Sequence, residues 1–377
     1  MTATVVPVEP QPVDVAPSAA RRVNASTAPQ PAPAAGLARP RDAYLDALRA
    51  GSLLVVVLWH CVATRLTWTS TGPHATSPLE SVPGLWLGTW VLQVMPIFFY
   101  VGGYLHHRSW RPGFVPRRVG GLLRATAPLL GAWAIAAGVM VTVGGVDWTT
   151  GTVKLALSPL WFLVVYLVLV VLLPSARWLD RRLGWAALPL LAGVAIAVDV
   201  ARLGFGVPWI GWLNLAVVWG LAHQAGFHHD ALMRASWRVG LALVASGVAG
   251  LCALLAIGYP GSMVGVPGDK WSNMSPPTVA IVALTMLQVG LIRLGHPAAS
   301  RLLARPVASR ALSIANRFAM PVFLFHMSAY LLAQAIGWPA MTVAVGIAAA
   351  TATGTVAVKR WVARRRRLAE ALGRTPC

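Results

Sequence analysis

The stretch YLDALRAGSLLVVVLWH, residues 44–60, decides how the chain is interpreted. It begins with charged residues, continues through a run dominated by Val and Leu, and ends on a histidine. Such a run is typical of a membrane helix, because about 20 apolar residues are needed to cross the hydrocarbon core of a bilayer. An ionisable side chain inside a membrane helix is costly, which makes His60 a candidate for function.

The composition of the whole chain agrees with this interpretation. Its 377 residues are 57% hydrophobic and only 11% charged, whereas about 25% charged residues is usual in soluble domains. Apolar runs bounded by charge, Pro and Gly predict ten membrane spans. These spans are 46–66, 85–105, 125–145, 157–174, 184–201, 209–226, 239–258, 276–294, 318–336 and 340–358. We therefore predict an all-α, polytopic integral membrane protein with about ten transmembrane helices.

The basic residues predict how the chain crosses the membrane. The formal net charge is +20, and the charge is distributed between the apolar runs. With the N-terminus inside, only four of the 31 Lys and Arg residues fall in outer segments, namely Arg65, Lys154, Arg202 and Lys270. The positive-inside rule then predicts cytoplasmic N- and C-termini in a multi-pass protein of a bacterial inner (plasma) membrane. No nucleic-acid-binding module is recognisable, so no nucleic-acid partner is expected.

The two ends of the chain differ from its middle. Residues 1–40 are rich in Pro and Ala and lack an apolar run, so we expect a disordered cytoplasmic arm. Residues 41–358 form the predicted membrane domain, and residues 359–377 a basic cytoplasmic tail attracted to anionic membrane lipid. The three cysteines have neither disulfide nor metal-ligand spacing, and no metal is expected.

Arg49 and His60 are the first candidates for a catalytic pair. They are eleven residues apart, so in a helix they share one face with a rise of about 16 Å between them. This predicts Arg49 at the cytoplasmic mouth and His60 near the middle of the membrane. A neutral imidazole accepts a proton near neutral pH, which suits a general base. The simpler alternatives are an arginine that sets topology and pairs with Asp46, and a histidine that only packs.

Four stretches in this order resemble the acyltransferase-3 family of integral membrane acyltransferases. Residues 44–60 are similar to its first helix, in which an Arg is followed after ten residues by a His. The other three stretches are MPIFFYVGGYL (95–105), SPLWFLVVYLVLVVLLP (158–174) and RFAMPVFLFHMSAY (317–330). The resemblance implies transfer of an acyl group, commonly acetyl, from a cytoplasmic acyl-CoA to a hydroxyl of a carbohydrate, glycolipid or small molecule. It covers roughly residues 41–358.

The resemblance also implies roles for particular residues. His60 would be the general base that activates the acceptor hydroxyl, or would briefly carry the acyl group. Arg49 would orient the donor or stabilise negative charge. The family has an Arg-x-x-Arg element after its second helix, and the sequence leaves open which arginines fill it. Guanidinium groups bind phosphates bidentately, as coenzyme A requires. The candidates are Arg108, Arg111, Arg117, Arg118 and Arg124.

Further candidates would contact the acceptor or the acyl group. Tyr100 and Trp161 lie in two of the matching stretches, and His326 ends the apolar run MPVFLFH. Asn273 lies in the polar outer segment DKWSNMSPP. For each of them a packing role is the competing interpretation.

Two other classes of protein fit parts of the pattern. A transporter or flippase of a small metabolite or lipid-linked glycan would move substrate without acyl-CoA and without His60. A degenerate member of the family would serve only for binding or as a scaffold. The retained spacing of Arg49 and His60 argues against this alternative. As an enzyme, an O-acyltransferase, the chain would act alone or pass the acyl group to a separate envelope partner.

Overall fold

The structure is a computed structural model that describes residues 42–266 and 271–337. Nearly all of this part of the chain is helical. The helices are α1 (Ala43–Ala63), α2 (Thr89–Leu92), α3 (Met95–Ser109), α4 (Phe114–Leu157), α5 (Leu160–Val171), α6 (Leu173–Leu183), α7 (Ala187–Asp199), α8 (Asn214–Phe227), α9 (His229–Arg234), α10 (Trp237–Ala256), α11 (Val279–Leu303) and α12 (Pro306–Ala335). The strands are β1 (Arg65–Thr69) and β2 (Gly72–Thr76).

Shorter helical turns connect some of these elements. Four are 3-10 helices, at Pro78–Glu80, Leu85–Gly88, Gly184–Ala186 and Pro208–Leu213. A π-helical turn, Val200–Gly204, continues α7. The long α4 is broken at Gly145, where φ is 78°. That glycine is the last residue of the predicted span 125–145.

Seven helical segments in the described part of the chain are long and apolar enough to cross a membrane. They are Ala43–Cys61, Leu85–Ser109, Phe114–Leu157, Leu173–Gly204, Trp237–Ala256, Val279–Leu303 and Pro306–Ala335. Each contains most of one predicted span, which confirms a largely helical membrane protein. The predicted spans 157–174 and 209–226 coincide with shorter helices, α5 of 12 residues and α8 of 14. Span 340–358, the arm 1–40 and the tail 359–377 lie outside the described residues.

Helix α1 begins and ends at residues that favour its boundaries. The Asp42 carboxylate accepts hydrogen bonds from the backbone N–H groups of Tyr44 and Leu45, at 2.9 and 3.2 Å, and so caps the helix. After Ala63 the chain becomes extended at Thr64 and enters the hairpin of β1 and β2. The sequence did not predict this hairpin. It packs against the part of α4 that follows Gly145.

The packing of α3 on α8 places several of the site residues. Gly103 and Gly226 lie where the two helices touch, and a Cβ on either would clash with the backbone of the other helix. Small residues of this kind let membrane helices approach closely. Helix α1 packs against α3 and α12, so the face that carries His60 is turned towards the inside of the bundle.

Candidate active site

His60 lies in the last turn of α1. The sequence predicts a depth near the middle of the membrane, and that depth stays a prediction. Along α1, His60 lies close to the end of the helix, which ends three residues later, just before the hairpin. The rise from Ala43 to His60 is about 26 Å, against about 30 Å for the whole helix.

The hydrogen bonds around His60 fix which of its nitrogens carries a proton. His326 Nδ1 lies 2.6 Å from the carbonyl oxygen of Phe323, and His60 Nδ1 lies 2.9 Å from that of Val56. A carbonyl only accepts, so both Nδ1 atoms carry hydrogen. His326 Nε2 therefore carries a lone pair. It lies 3.4 Å from His60 Nδ1 and accepts a second hydrogen bond from the same N–H. In the neutral imidazole, His60 Nε2 then carries no hydrogen and is the nitrogen that can act as a base.

A cavity of about 280 Å³ lies against His60. Its walls come from α1, from the end of the hairpin and the turn after it, and from the chain around the start of α3 and of α5. The polar side chains that line it, besides His60, are Ser52, Thr64, Thr76, Ser77 and Gln93. Trp59 and Trp161 add two indole rings. Among its described lining residues there is no Asp, Glu, Lys or Arg.

A second cavity, of about 390 Å³, lies towards the other end of α1. Three arginines line it, Arg49, Arg117 and Arg118. Arg49 donates a hydrogen bond of 2.7 Å from Nη2 to Asn316 Oδ1, and lies 3.3 Å from Asp46. The pair with Asp46 that the sequence suggested therefore forms, and Arg49 still faces a cavity. We call the two spaces the histidine cavity and the arginine cavity.

A chain of hydrogen bonds leads from the arginine cavity into the protein. Arg118 donates from Nε and Nη2 to the Tyr166 hydroxyl oxygen, at 3.0 and 2.6 Å. The Tyr166 O–H must then donate to His106 Nε2, at 2.8 Å. His106 Nδ1–H in turn donates to His223 Nε2, at 3.0 Å. Because Tyr166 and both imidazoles are buried, this chain fixes the direction of the Arg118 side chain.

The sequence did not identify the partners in this chain or Asn316. One signal for Tyr166 was available, since it is the only polar side chain in the otherwise apolar helix α5. The contacts of His106 join it to helices 60 and 117 residues away in sequence. Such pairs are set by helix packing and have no local pattern.

The structure separates the five candidate donor-binding arginines into two groups. Arg117 and Arg118 line the arginine cavity with Arg49. The other three line neither cavity: Arg108 bonds to Tyr104 and to Asp230, Arg111 is exposed, and Arg124 is exposed and donates to the Gly120 carbonyl at 3.1 Å. The literal Arg-x-x-Arg match, Arg108 to Arg111, is thus not the pair that faces a cavity.

Of the four candidates for contact with the acceptor or the acyl group, two lie at the histidine cavity and two do not. Trp161 lines the histidine cavity, and His326 lies directly behind His60. Tyr100 is fully buried, lines neither cavity and is 2.8 Å from His229 Nδ1. Asn273 is buried, donates to the carbonyls of Pro260 and Ser262 and accepts from the Thr278 hydroxyl. The contacts of Tyr100 and Asn273 in this structure are internal, as the packing interpretation expects, and substrate binding by them stays a prediction.

Within residues 42–266 and 271–337, no three His, Cys, Asp or Glu side chains come together as a metal site needs. The polar groups of the residues that line the two cavities are imidazole, guanidinium, hydroxyl, amide and indole groups.

The long apolar helices, the half-buried His60 and the basic cavity define a membrane protein with an internal site suited to proton transfer and to binding an anion. A family model described as an acyltransferase domain, Acyl_transf_3, matches residues 42–360, and the chain belongs to this family. It is therefore a membrane acyltransferase. No curated protein and no solved structure matches the chain.

Proposed function

We propose that this protein transfers an acyl group, most simply acetyl, from acyl-CoA to the hydroxyl of an acceptor. The donor would bind in the arginine cavity and the acceptor in the histidine cavity. The observation that carries the proposal is that His60 and three arginines line two adjacent cavities along one face of α1.

Coenzyme A suits the arginine cavity because it carries a diphosphate and a 3′-phosphate. Arg49, Arg117 and Arg118 supply planar guanidinium groups, each of which can bind phosphate oxygens in a bidentate manner. Asn316 and Tyr166 accept hydrogen bonds from two of these arginines and so hold them before a donor arrives. Because acyl-CoA is cytoplasmic, this side of the protein would face the cytoplasm, in agreement with the basic inner loops that the positive-inside rule predicts.

The histidine cavity suits an acceptor whose reacting end is uncharged. Its described lining residues carry no full charge, and a buried ion without a partner is costly. The indole faces of Trp59 and Trp161 suit the apolar face of a sugar ring or another flat apolar body. A carbohydrate, a glycolipid and a small-molecule alcohol all meet these conditions. The acceptor, alone or carried by a separate envelope partner, would enter from the hairpin side.

The proposed reaction uses His60 as a general base and then as a general acid. The acceptor oxygen attacks the thioester carbonyl carbon while its proton moves to His60 Nε2. The C–S bond of the tetrahedral intermediate then breaks, and the coenzyme A sulfur takes the proton from His60. While His60 is protonated, the Val56 carbonyl and the His326 Nε2 lone pair accept from its Nδ1–H. General-base catalysis of this kind contributes about 10²- to 10⁴-fold to the rate.

The test uses purified full-length protein, radiolabelled acetyl-CoA and a cell-envelope extract as the source of acceptor. We expect label in the extract with wild type and a loss of about 10²- to 10⁴-fold with His60→Ala. His74→Ala is the matched control, because His74 is an exposed histidine of the hairpin that lines neither cavity. Equal labelling by wild type and His60→Ala would contradict the mechanism. Movement of a substrate across the membrane without acyl-CoA would instead support a transporter.

A further inference from the structure

Three apolar side chains line both cavities. They are Leu53 of α1, Phe98 of α3 and Phe162 of α5. The histidine cavity and the arginine cavity therefore lie on two sides of the same wall. We call these three residues the septum.

The septum is closed by packed rings. The centroids of Phe98 and Phe162 are 4.7 Å apart with an interplanar angle of 72°, an edge-to-face contact. Phe162 also packs at 5.3 Å against Phe323 of α12. Leu53 and Phe162 are only 6% and 4% exposed. Four helices thus hold the wall between the cavities.

The septum lies between the two functional ends of α1. Leu53 follows Arg49 by four residues and precedes His60 by seven, so all three share one face of the helix. The rise is about 6 Å from Arg49 to Leu53 and about 10 Å from Leu53 to His60. A group held by Arg49 must therefore pass Leu53 to reach His60.

We propose that the septum is the passage through which the acyl thioester reaches His60, and that its width selects the length of the acyl chain. The inference rests on the proposed function, in which the donor is an acyl-CoA. It adds a specificity determinant that neither the catalytic residues nor the arginines supply.

Two physical reasons support this role. The thioester end of acyl-CoA is uncharged and passes between apolar side chains at little cost, whereas the phosphates are held back on the arginine side because a buried ion is costly. A packed apolar wall also discriminates by size, since one methylene more or less in such a site changes the rate by about 10- to 200-fold. A narrow passage favours acetyl, and a wider one admits longer chains.

The test compares acyl-CoA donors of different length with the same envelope extract. Purified wild type, Leu53→Ala and Phe162→Ala are each given radiolabelled acetyl-CoA or butyryl-CoA, and the ratio of butyryl to acetyl transfer is measured. We expect this ratio to rise by at least about 10-fold in both variants. Leu251→Ala is the matched control, because Leu251 is a buried leucine of α10 that lines neither cavity, and its ratio should equal that of wild type.

A narrowing variant tests the same wall from the other direction. Leu53→Phe should lower acetyl transfer by about 10-fold or more, while retention of radiolabelled acetyl-CoA by the protein stays as in wild type. Phe162→Leu replaces Phe162→Ala where the latter is not monodisperse in detergent.

The outcomes separate this inference from the proposed function. In one outcome, wild type transfers acetyl in a His60-dependent manner while Leu53→Ala and Phe162→Ala keep the wild-type ratio of butyryl to acetyl transfer. That result leaves the proposed function standing and overturns the role of the septum. Loss of acetyl-CoA retention in Leu53→Phe also overturns it, because the residue would then act in donor binding. Absence of acyl transfer by wild type overturns the proposed function and this inference with it.

Discussion

The state of His60 is set by the groups behind it. Val56 and His326 both accept from Nδ1–H, so the nitrogen left for the proposed acceptor hydroxyl is Nε2. His326 is held in turn by the Phe323 carbonyl. This is the arrangement of a base with an orienting partner, in which the partner fixes the tautomer and stabilises the protonated form. In the proposed mechanism, a second histidine therefore takes the place that a carboxylate has in many hydrolases.

Replacing His326 should affect turnover more than donor binding. In His326→Ala the imidazolium of His60 loses one acceptor, and we expect kcat to fall by about 10-fold or more, with KM for acetyl-CoA unchanged. His326→Gln should recover part of the rate, because its amide oxygen can accept from His60. Steady-state kinetics of the three proteins check this, and a change confined to KM would contradict a positioning role at the base.

Replacing Tyr166 should affect donor binding more than turnover. Tyr166→Phe removes the acceptor of two hydrogen bonds from Arg118, so the contact that orients this guanidinium group is lost. Hydrogen bonds to charged groups contribute about 1.5–3 kcal/mol, so KM for acyl-CoA should rise by about 10-fold or more while kcat changes little.

Tyr259→Phe is the control for Tyr166→Phe. The Tyr259 hydroxyl also bonds to an internal partner, Asp199, but Tyr259 lines neither cavity. Its loss should leave KM as in wild type. An equal rise of KM in both variants would mean that the effect of Tyr166→Phe is general destabilisation.

Helix α1 organises the site because it carries Arg49, Leu53 and His60 in order along one face. Its direction is fixed at the start by the Asp42 cap and at the end by the hairpin. Helix α12 supplies His326 to one end of that face and Asn316 to the other. A shift of α12 along α1 by one turn would therefore break the contacts of both ends at once.

The Asp42 cap should make the start of α1 sensitive to acid. The side chain of His229, 3.8 Å from the carboxylate, and then the backbone N–H of Leu45 keep the pKa of Asp42 below its ordinary value of 3.8, against the opposing effect of burial. A lowered pKa in the folded state means stability that is present above pH 3.8 and lost as the pH falls through the folded-state pKa.

We therefore expect the melting temperature in detergent to fall for wild type below about pH 4, and to fall less for Asp42→Asn, which caps without titrating. Thermal unfolding between pH 6 and pH 3 measures both. Parallel curves for the two proteins would show that Asp42 does not contribute to the acid dependence.

The molecule as a whole connects two chemically different sides. The basic cavity opens at one end of α1 and the uncharged cavity, bordered by the hairpin, at the other. Such a polarity fits an enzyme that takes a charged donor from one side of the membrane and a neutral acceptor from the other. The basic loops predict that the arginine side is cytoplasmic.

Labelling of single cysteines tests this orientation. In a background with Cys61, Cys252 and Cys377 replaced by Ser, we expect a membrane-impermeant thiol reagent on intact cells to label His74→Cys in the hairpin. Arg111→Cys, between α3 and α4, should react only after the cells are permeabilised. The reverse pattern would place the arginine cavity on the outer side.

Much of the fold and part of the site were predictable from sequence, for identifiable reasons. Apolar runs predicted the long helices, and the helical period placed Arg49 and His60 on one face. Arg117 and Arg118 could not be separated from Arg108, because the positive-inside rule places all of them at the same side for any membrane protein.

Contacts that form only in the folded protein account for what the sequence did not predict. Asn273 is polar and lies in an outer segment, as a substrate-binding residue would, but its hydrogen bonds are satisfied within the loop. The contact of His60 with His326 spans 266 residues. The septum depends in the same way on side chains from three helices that meet only in the folded protein.

The most direct test of the account uses sealed, inside-out membrane vesicles that contain the protein and are loaded with envelope extract. Radiolabelled acetyl-CoA is added only outside, on the side where the basic loops should lie. The account predicts labelled acceptor inside the vesicles with wild type, free coenzyme A outside, and neither product with His60→Ala. Label that reaches the acceptor equally well in His60→Ala, or only when acetyl-CoA is sealed inside, would contradict it.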